Sequence, residues 1–115
     1  MKRGDIYQTQ LLPRSGSEQR GKRPVIIISH DAFNKTPNWR SIIVIPISTS
    51  TSQARRSPTA ISLPAGNGGL RKDSVALCHQ ITTLDRTKLT KKWGSLSKNL
   101  ISQVEIGIRN ALDLD

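Results

Sequence analysis

Two short β-branched runs limit what this chain can become. Val25-Ile26-Ile27-Ile28 follows Arg23-Pro24, and Ile42-Ile43-Val44-Ile45 follows Arg40-Ser41. Both are far shorter than the ~20 apolar residues of a membrane-crossing helix. Branching at Cβ favours the pleated strand, and unbroken apolar runs suit strands covered on both faces. The first run therefore reads as a central strand over Arg23–His30, and the second as another strongly β-branched strand over Ser41–Thr49. Pro46 lies inside the second and cannot donate to a ladder, which predicts an edge or a bulge there.

Weaker strands surround these two. Asp5–Leu11, Thr59–Leu63, Asp73–Ile81 and Lys91–Leu96 carry strand patterning, and Pro64–Gly69 (PAGNGG) is a strong turn. Leu84–Leu89 reads as one helical turn, and Asp31–Arg40 as a polar connection with room for another. Leu12–Lys22 and Ser50–Ser57 read as loops. Ser97–Leu114 has helical period: Ile101, Val104, Ile108, Ala111 and Leu112 share a face, Ser97 is placed to cap it, and Gly107 falls on the polar side. No βαβ alternation occurs. Five to seven strands followed by a terminal helix predict a mainly β fold, a small antiparallel barrel or strongly curved sheet. The 115 residues fit a single domain spanning 1–115.

Charge narrows the function. With 18 Lys and Arg against 8 Asp and Glu, the formal charge is +10. Such a surface attracts polyanions, nucleic acid first and an acidic protein second. The N-terminus has no apolar segment of a signal peptide, so the cytoplasm is the expected compartment. Cys78 alone forms neither an internal disulfide nor a zinc site, and reads as a small buried hydrophobe. His30 and His79 could in principle serve as acid and base in RNA cleavage. Neither has a partner legible in the sequence, and both read as ordinary histidines near strand ends. Arg3-Gly4-Asp5 matches an adhesion tripeptide by chance.

One segment concentrates chemistry: Gly16-Ser17-Glu18-Gln19-Arg20-Gly21-Lys22-Arg23-Pro24. Glu18 sits among cations that favour its ionised form. Arg23 opens a rigid strand and Pro24 fixes the following φ, which suits phosphate binding or stabilisation of a phosphoryl transition state. The plain alternative, a surface Arg–Glu pair, is worth little. Ser48-Thr49-Ser50-Thr51-Ser52 places hydroxyls at the end of the second strand, where they could bind phosphate or simply begin a polar loop.

Taken in order, Arg3-Gly4-Asp5-Ile6-Tyr7, Gly16-Ser17-Glu18-Gln19, Arg23-Pro24-Val25, Asn34, Pro46-Ile47-Ser48-Thr49, Asp73–Leu77, Gln80-Ile81, Leu84-Asp85 and Lys91–Leu96 resemble the MazF/PemK toxins of bacterial toxin–antitoxin pairs. The resemblance covers nearly the whole chain. It implies an SH3-like barrel with a C-terminal helix, of the kind shared by MazF, CcdB and Kid, working as a homodimer. It implies a metal-independent, cofactor-free endoribonuclease that cuts single-stranded RNA by 2′-hydroxyl attack, blocked by an acidic antitoxin. By position, Arg23 matches the catalytic arginine, and Ser48 stands where relatives usually carry threonine. There the hydroxyl is kept, and the methyl that limits its rotamers is lost. Glu18 matches a candidate base. Ser17, Gln19, Thr49 and Gln80 would line the RNA groove, while Arg55 and Arg56 would grip phosphates. The gyrase-poisoning toxins of the same architecture offer the alternative, a non-catalytic protein binder; the Gly-Ser-Glu-Gln…Arg-Pro segment favours the nuclease.

Overall fold

The computed structural model describes residues 1–11, 21–49 and 58–115. Seven strands run β1 Asp5–Leu11, β2 Gly21–Ile27, β3 Ser41–Ser48, β4 Ala60–Leu63, β5 Ser74–Leu77, β6 Thr82–Asp85 and β7 Leu89–Ser95. A single-turn helix α1, Asp31–Asn34, follows β2, and a long helix α2, Lys98–Leu112, follows β7. All strand pairs are antiparallel, in the order β4-β5-β3-β2-β1-β7, with β6 also on β3. No described helix is long and apolar enough to cross a membrane.

The β-branched runs occupy the centre, as their composition requires. Ile26, Ile45 and Ile47 join Ile6, Leu63, Ala76, Leu100 and Val104 in a core beneath α2. Val25, Ile27, Ile42 and Val44 form a second cluster on the other face. The sheet's ends come together without a closing ladder. Gly68 and Gly69, in the turn after β4, abut Trp93 and Gly94 of β7 so closely that a Cβ on Gly69 would lie 2.3 Å from the Trp93 carbonyl oxygen. The curl is thus barrel-like, and backbone packing closes it.

Several expectations change. Pro46 is neither at an edge nor in a bulge but buried in an interior strand. Ile28 N donates to Ile43 O at 2.9 Å. Counting along the register by twos, Val25 and Pro46 form a pair without mutual hydrogen bonds, so the Pro46 nitrogen faces away from β2. On that side β6 covers Ser41–Val44 and β5 begins at Ile47. The missing N–H falls in the gap between two partners.

The strand expected over Asp73–Ile81 stops at Leu77, where a 3-10 turn, Cys78–Gln80, brings the chain under α2. The turn expected over Leu84–Leu89 is confined to Arg86–Lys88 and preceded by β6. Ser97 does cap α2, accepting from Leu100 N at 3.2 Å. Gly107 is buried rather than polar-facing, and Leu112 is 48% exposed.

Several conspicuous sequence features prove structural. Arg3 pairs with Glu105 of α2 at 2.7 Å, while Asp5 is buried and accepts from Lys2 N and Ser95 Oγ. Asn34 is buried, with its amide donating to Ser29 O and Asp31 Oδ1 and its oxygen accepting from Ser29 Oγ. Arg86 donates to the carbonyls of Phe33, Asn34, Thr36 and Trp39. It staples α1 and the following connection to the sheet.

Candidate functional site

At the start of β2 a cavity of about 580 Å³ opens beside Arg23. Lys22, Arg23 and Pro24 all line it although they are consecutive. Neighbours in a strand point to opposite faces, so the cavity wraps the strand's beginning instead of lying on one face. Gln8 of β1, Thr49 beyond β3, the segment Gly69–Lys72 and Ser74 continue the wall, and Lys91, Lys92 and Trp93 of β7 complete it.

The electrostatics are one-sided. Among the described residues, thirteen line the cavity; six of these are Lys or Arg, and none is Asp or Glu. Lys92 lies 3.6 Å from Asp5. Among the described residues, Lys22, Arg23, Arg71, Lys72 and Lys91 have no carboxylate within ion-pair distance. Cations clustered around a concave space raise the local concentration of anions.

The structure brings some expected residues together. Arg23 and Thr49 share the cavity wall. Ser48, half-buried at the end of β3, is not among the lining residues. The β2–β3 ladder ends at Val25 and Pro46, two residues short of both Arg23 and Ser48. Gln80 is in the 3-10 turn after β5, away from the wall. Glu18, Ser17, Gln19, Arg55 and Arg56 lie outside the described residues, as do most of the two loops expected at 12–22 and 50–57.

The histidines stand apart from the cavity. His30 Nδ1 accepts from Ala32 N at 2.9 Å and caps α1, and His79 Nδ1 lies 3.3 Å from Thr59 Oγ1. Burial raises the Cys78 thiol to about 11, and its Sγ–H donates to Val104 O, so it behaves as a core residue. No three His, Cys, Asp or Glu side chains among the described residues gather as a metal site.

Sequence reasoning missed most of the cationic wall. Arg71-Lys72 and Lys91-Lys92 are visible as basic doublets, but only the curl of the sheet brings them to Arg23.

Residues 2–112 match the family model for the PemK-like, MazF-like toxin of type II toxin–antitoxin systems. An endoribonuclease MazF of Staphylococcus epidermidis is 40% identical over 114 residues, covering 99% of this chain and 89% of the relative. Endoribonuclease EndoA of Bacillus subtilis is 34% identical over 114 residues, covering 99% and 96%. A Mycobacterial endoribonuclease, solved in complex with its cognate antitoxin, superposes with a TM-score of 0.74 at 21% identity, covering 100% and 95%. That last likeness speaks for the fold.

Proposed function

The chain belongs to the PemK/MazF toxin family, and from that premise we propose that it is an endoribonuclease whose cationic cavity holds single-stranded RNA for cutting at Arg23. The observation that carries this reading is the wall itself, to which the described residues bring six cations, Arg23 among them, and no carboxylate.

RNA supplies its own nucleophile. The 2′-hydroxyl attacks the adjacent phosphorus, the bond from phosphorus to the 5′-oxygen breaks, the departing oxygen takes a proton from solvent, and a 2′,3′-cyclic phosphate and a 5′-hydroxyl result. No step requires a metal ion or cofactor. Negative charge grows on the equatorial oxygens of the phosphorane. Arg23 meets it with a planar fork of donors anchored at the start of a rigid strand. The Ser48 hydroxyl, at the end of the strand that pairs with β2, donates to a phosphate oxygen. Thr49 and the lysines hold neighbouring phosphates. Glu18 takes the 2′ proton; its part, and those of Ser17, Gln19, Gln80, Arg55 and Arg56, rest on the family resemblance alone. On the same footing the toxin works as a homodimer in the cytoplasm. An antitoxin with an acidic segment neutralises it by occupying the cavity.

The test uses purified chain without antitoxin, EDTA throughout, long single-stranded RNAs and DNAs of matching sequence. Discrete RNA fragments with 5′-hydroxyl ends are expected, with DNA left intact for want of a 2′-hydroxyl. Arg23→Ala should cut at least ~10²–10³-fold more slowly, the usual cost of losing one donor to a developing oxyanion. RNA left whole across a panel rich in short sequences would overturn the nuclease reading in favour of a protein-binding toxin.

A further inference from the structure

The chain has two tryptophans, and the protein uses them differently. Trp39 is spent internally: its ring stacks on Phe33 with centroids 4.5 Å apart and planes 23° apart, and its Nε1 donates to Ser41 O at 2.7 Å. Trp93 is 36% exposed and lines the cavity. Among the described residues its indole has neither a hydrogen-bond partner nor a ring partner.

The backbone around Trp93 is unusual. Ile6 pairs with Gly94 and Tyr7 with Lys92, so Trp93 is the extra residue of a bulge between β1 and β7. A bulge re-aims a side chain that strict alternation would place elsewhere. The position is also held firmly. A Cβ on Gly94 would come 2.6 Å from Gly68 C, and one on Gly69 would come 2.3 Å from Trp93 O. Only glycines allow the two segments to meet there, and their meeting holds the backbone from which the indole projects.

An indole without a partner among the described residues, on a bulge directly after Lys91 and Lys92 in a wall of cations, presents two chemistries at once. It offers a flat π-face beside donors for phosphate. An unpaired nucleotide carries both complements. We propose that Trp93 is the stacking platform for a nucleobase of the RNA bound at Arg23. This rests on the nuclease reading and adds to it a base-contacting residue. Stacking of this kind tolerates every base, so Trp93 strengthens binding and fixes register while sequence choice lies with other residues.

The experiment isolates the indole. In a Trp39→Phe background, Trp93 is the sole tryptophan emitter. The protein is titrated with a 2′-O-methyl oligoribonucleotide, which cannot be cut, and with an abasic oligomer carrying the same phosphates. The base-bearing strand should quench Trp93 emission, and the abasic strand should bind without doing so. In cleavage assays Trp93→Ala should raise KM about ten- to a hundred-fold, the range for one lost base–aromatic contact, while Trp93→Phe retains most of the affinity. The salt dependence of binding should be the same in all three proteins, since a platform neutralises no phosphate.

Equal quenching by both strands would overturn the platform, as would a folded Trp93→Ala that binds and cuts like the parent. In either outcome, cleavage by the parent leaves the nuclease reading standing. Base-dependent quenching in a parent that cuts no RNA would sink the nuclease reading and keep the platform.

Discussion

At position 9 the chain buries a hydroxyl with nothing to bond. Thr9 is fully buried in β1, opposite Arg23, and its Oγ1 has no hydrogen-bond partner among the described residues. An unsatisfied buried polar group costs about 1–3 kcal/mol. Valine has nearly the same shape without the hydroxyl. Thr9→Val is therefore expected to stabilise the fold by roughly 1 kcal/mol, read as a higher urea midpoint at unchanged slope. A lower midpoint would mean that the hydroxyl does have a partner. Legibility at this scale was uneven. Arg23 stood out in the sequence because Pro24 and a β-branched run follow it, which locates a cation at a strand's start. Trp93 did not, because its exposure depends on a bulge that no residue type announces. Thr9 reads as an ordinary strand threonine; its isolation is a fact of packing.

Individual elements show where sequence patterning succeeds and where packing overrides it. Ser97 and the helical period located α2. They misplaced Gly107, because the period marks apolar side chains and glycine has none to mark. In the fold Gly107 lets α2 settle onto its neighbours: a Cβ there would lie 2.6 Å from Cys78 Sγ and 2.8 Å from Ile61 Cγ1. Alanine gains about 1 kcal/mol of helix propensity, but overpacking typically costs about 1–3 kcal/mol. Gly107→Ala should destabilise the protein by roughly 1 kcal/mol, and Cys78→Ala in the same chain should recover part of that loss. Gly107→Ala melting above the parent would refute the close fit.

The end of β6 adds a pH signature. The Asp85 carboxyl is lowered from 3.8 to about 2, chiefly by the Thr87 backbone N–H, then by the Thr87 hydroxyl and Arg40. A carboxyl that ionises more readily in the folded state stabilises it above the unfolded pKa and loses that contribution as the pH falls through the folded one. The stability difference between parent and Asp85→Asn should be complete at neutral pH, shrink from about pH 4 downward, and vanish near 2. A gap independent of pH would remove the charge from its cause. Here the sequence suggested a helical turn. The Arg40–Asp85 pair and the Arg86 staple, which fix a strand followed by a 3-10 turn, join segments more than forty residues apart.

The charge of the whole molecule was legible from its first count, but its arrangement was not. A formal charge of +10 predicts attraction to polyanions wherever the cations lie. The fold collects six of them around one cavity, from β2, the segment after Gly69, and β7. Three segments distant in sequence meet because the sheet curls until its ends touch. This clustering has a measurable consequence. Lys92 is shared with Asp5, which leaves five cations without a carboxylate of their own among the described residues. Each single-strand phosphate that they neutralise contributes about −0.7 to the slope of log K against log salt, so the slope for an uncleavable 2′-O-methyl RNA should be roughly −3 to −4. Replacing Arg71, Lys72 and Lys91 together by glutamine should make it shallower by about 2. The same three substitutions on a surface of diffuse charge would weaken binding while leaving most of the slope intact. If the slope does not change on this replacement, the strand runs elsewhere on the basic surface, and Arg23 would have to act outside this cavity.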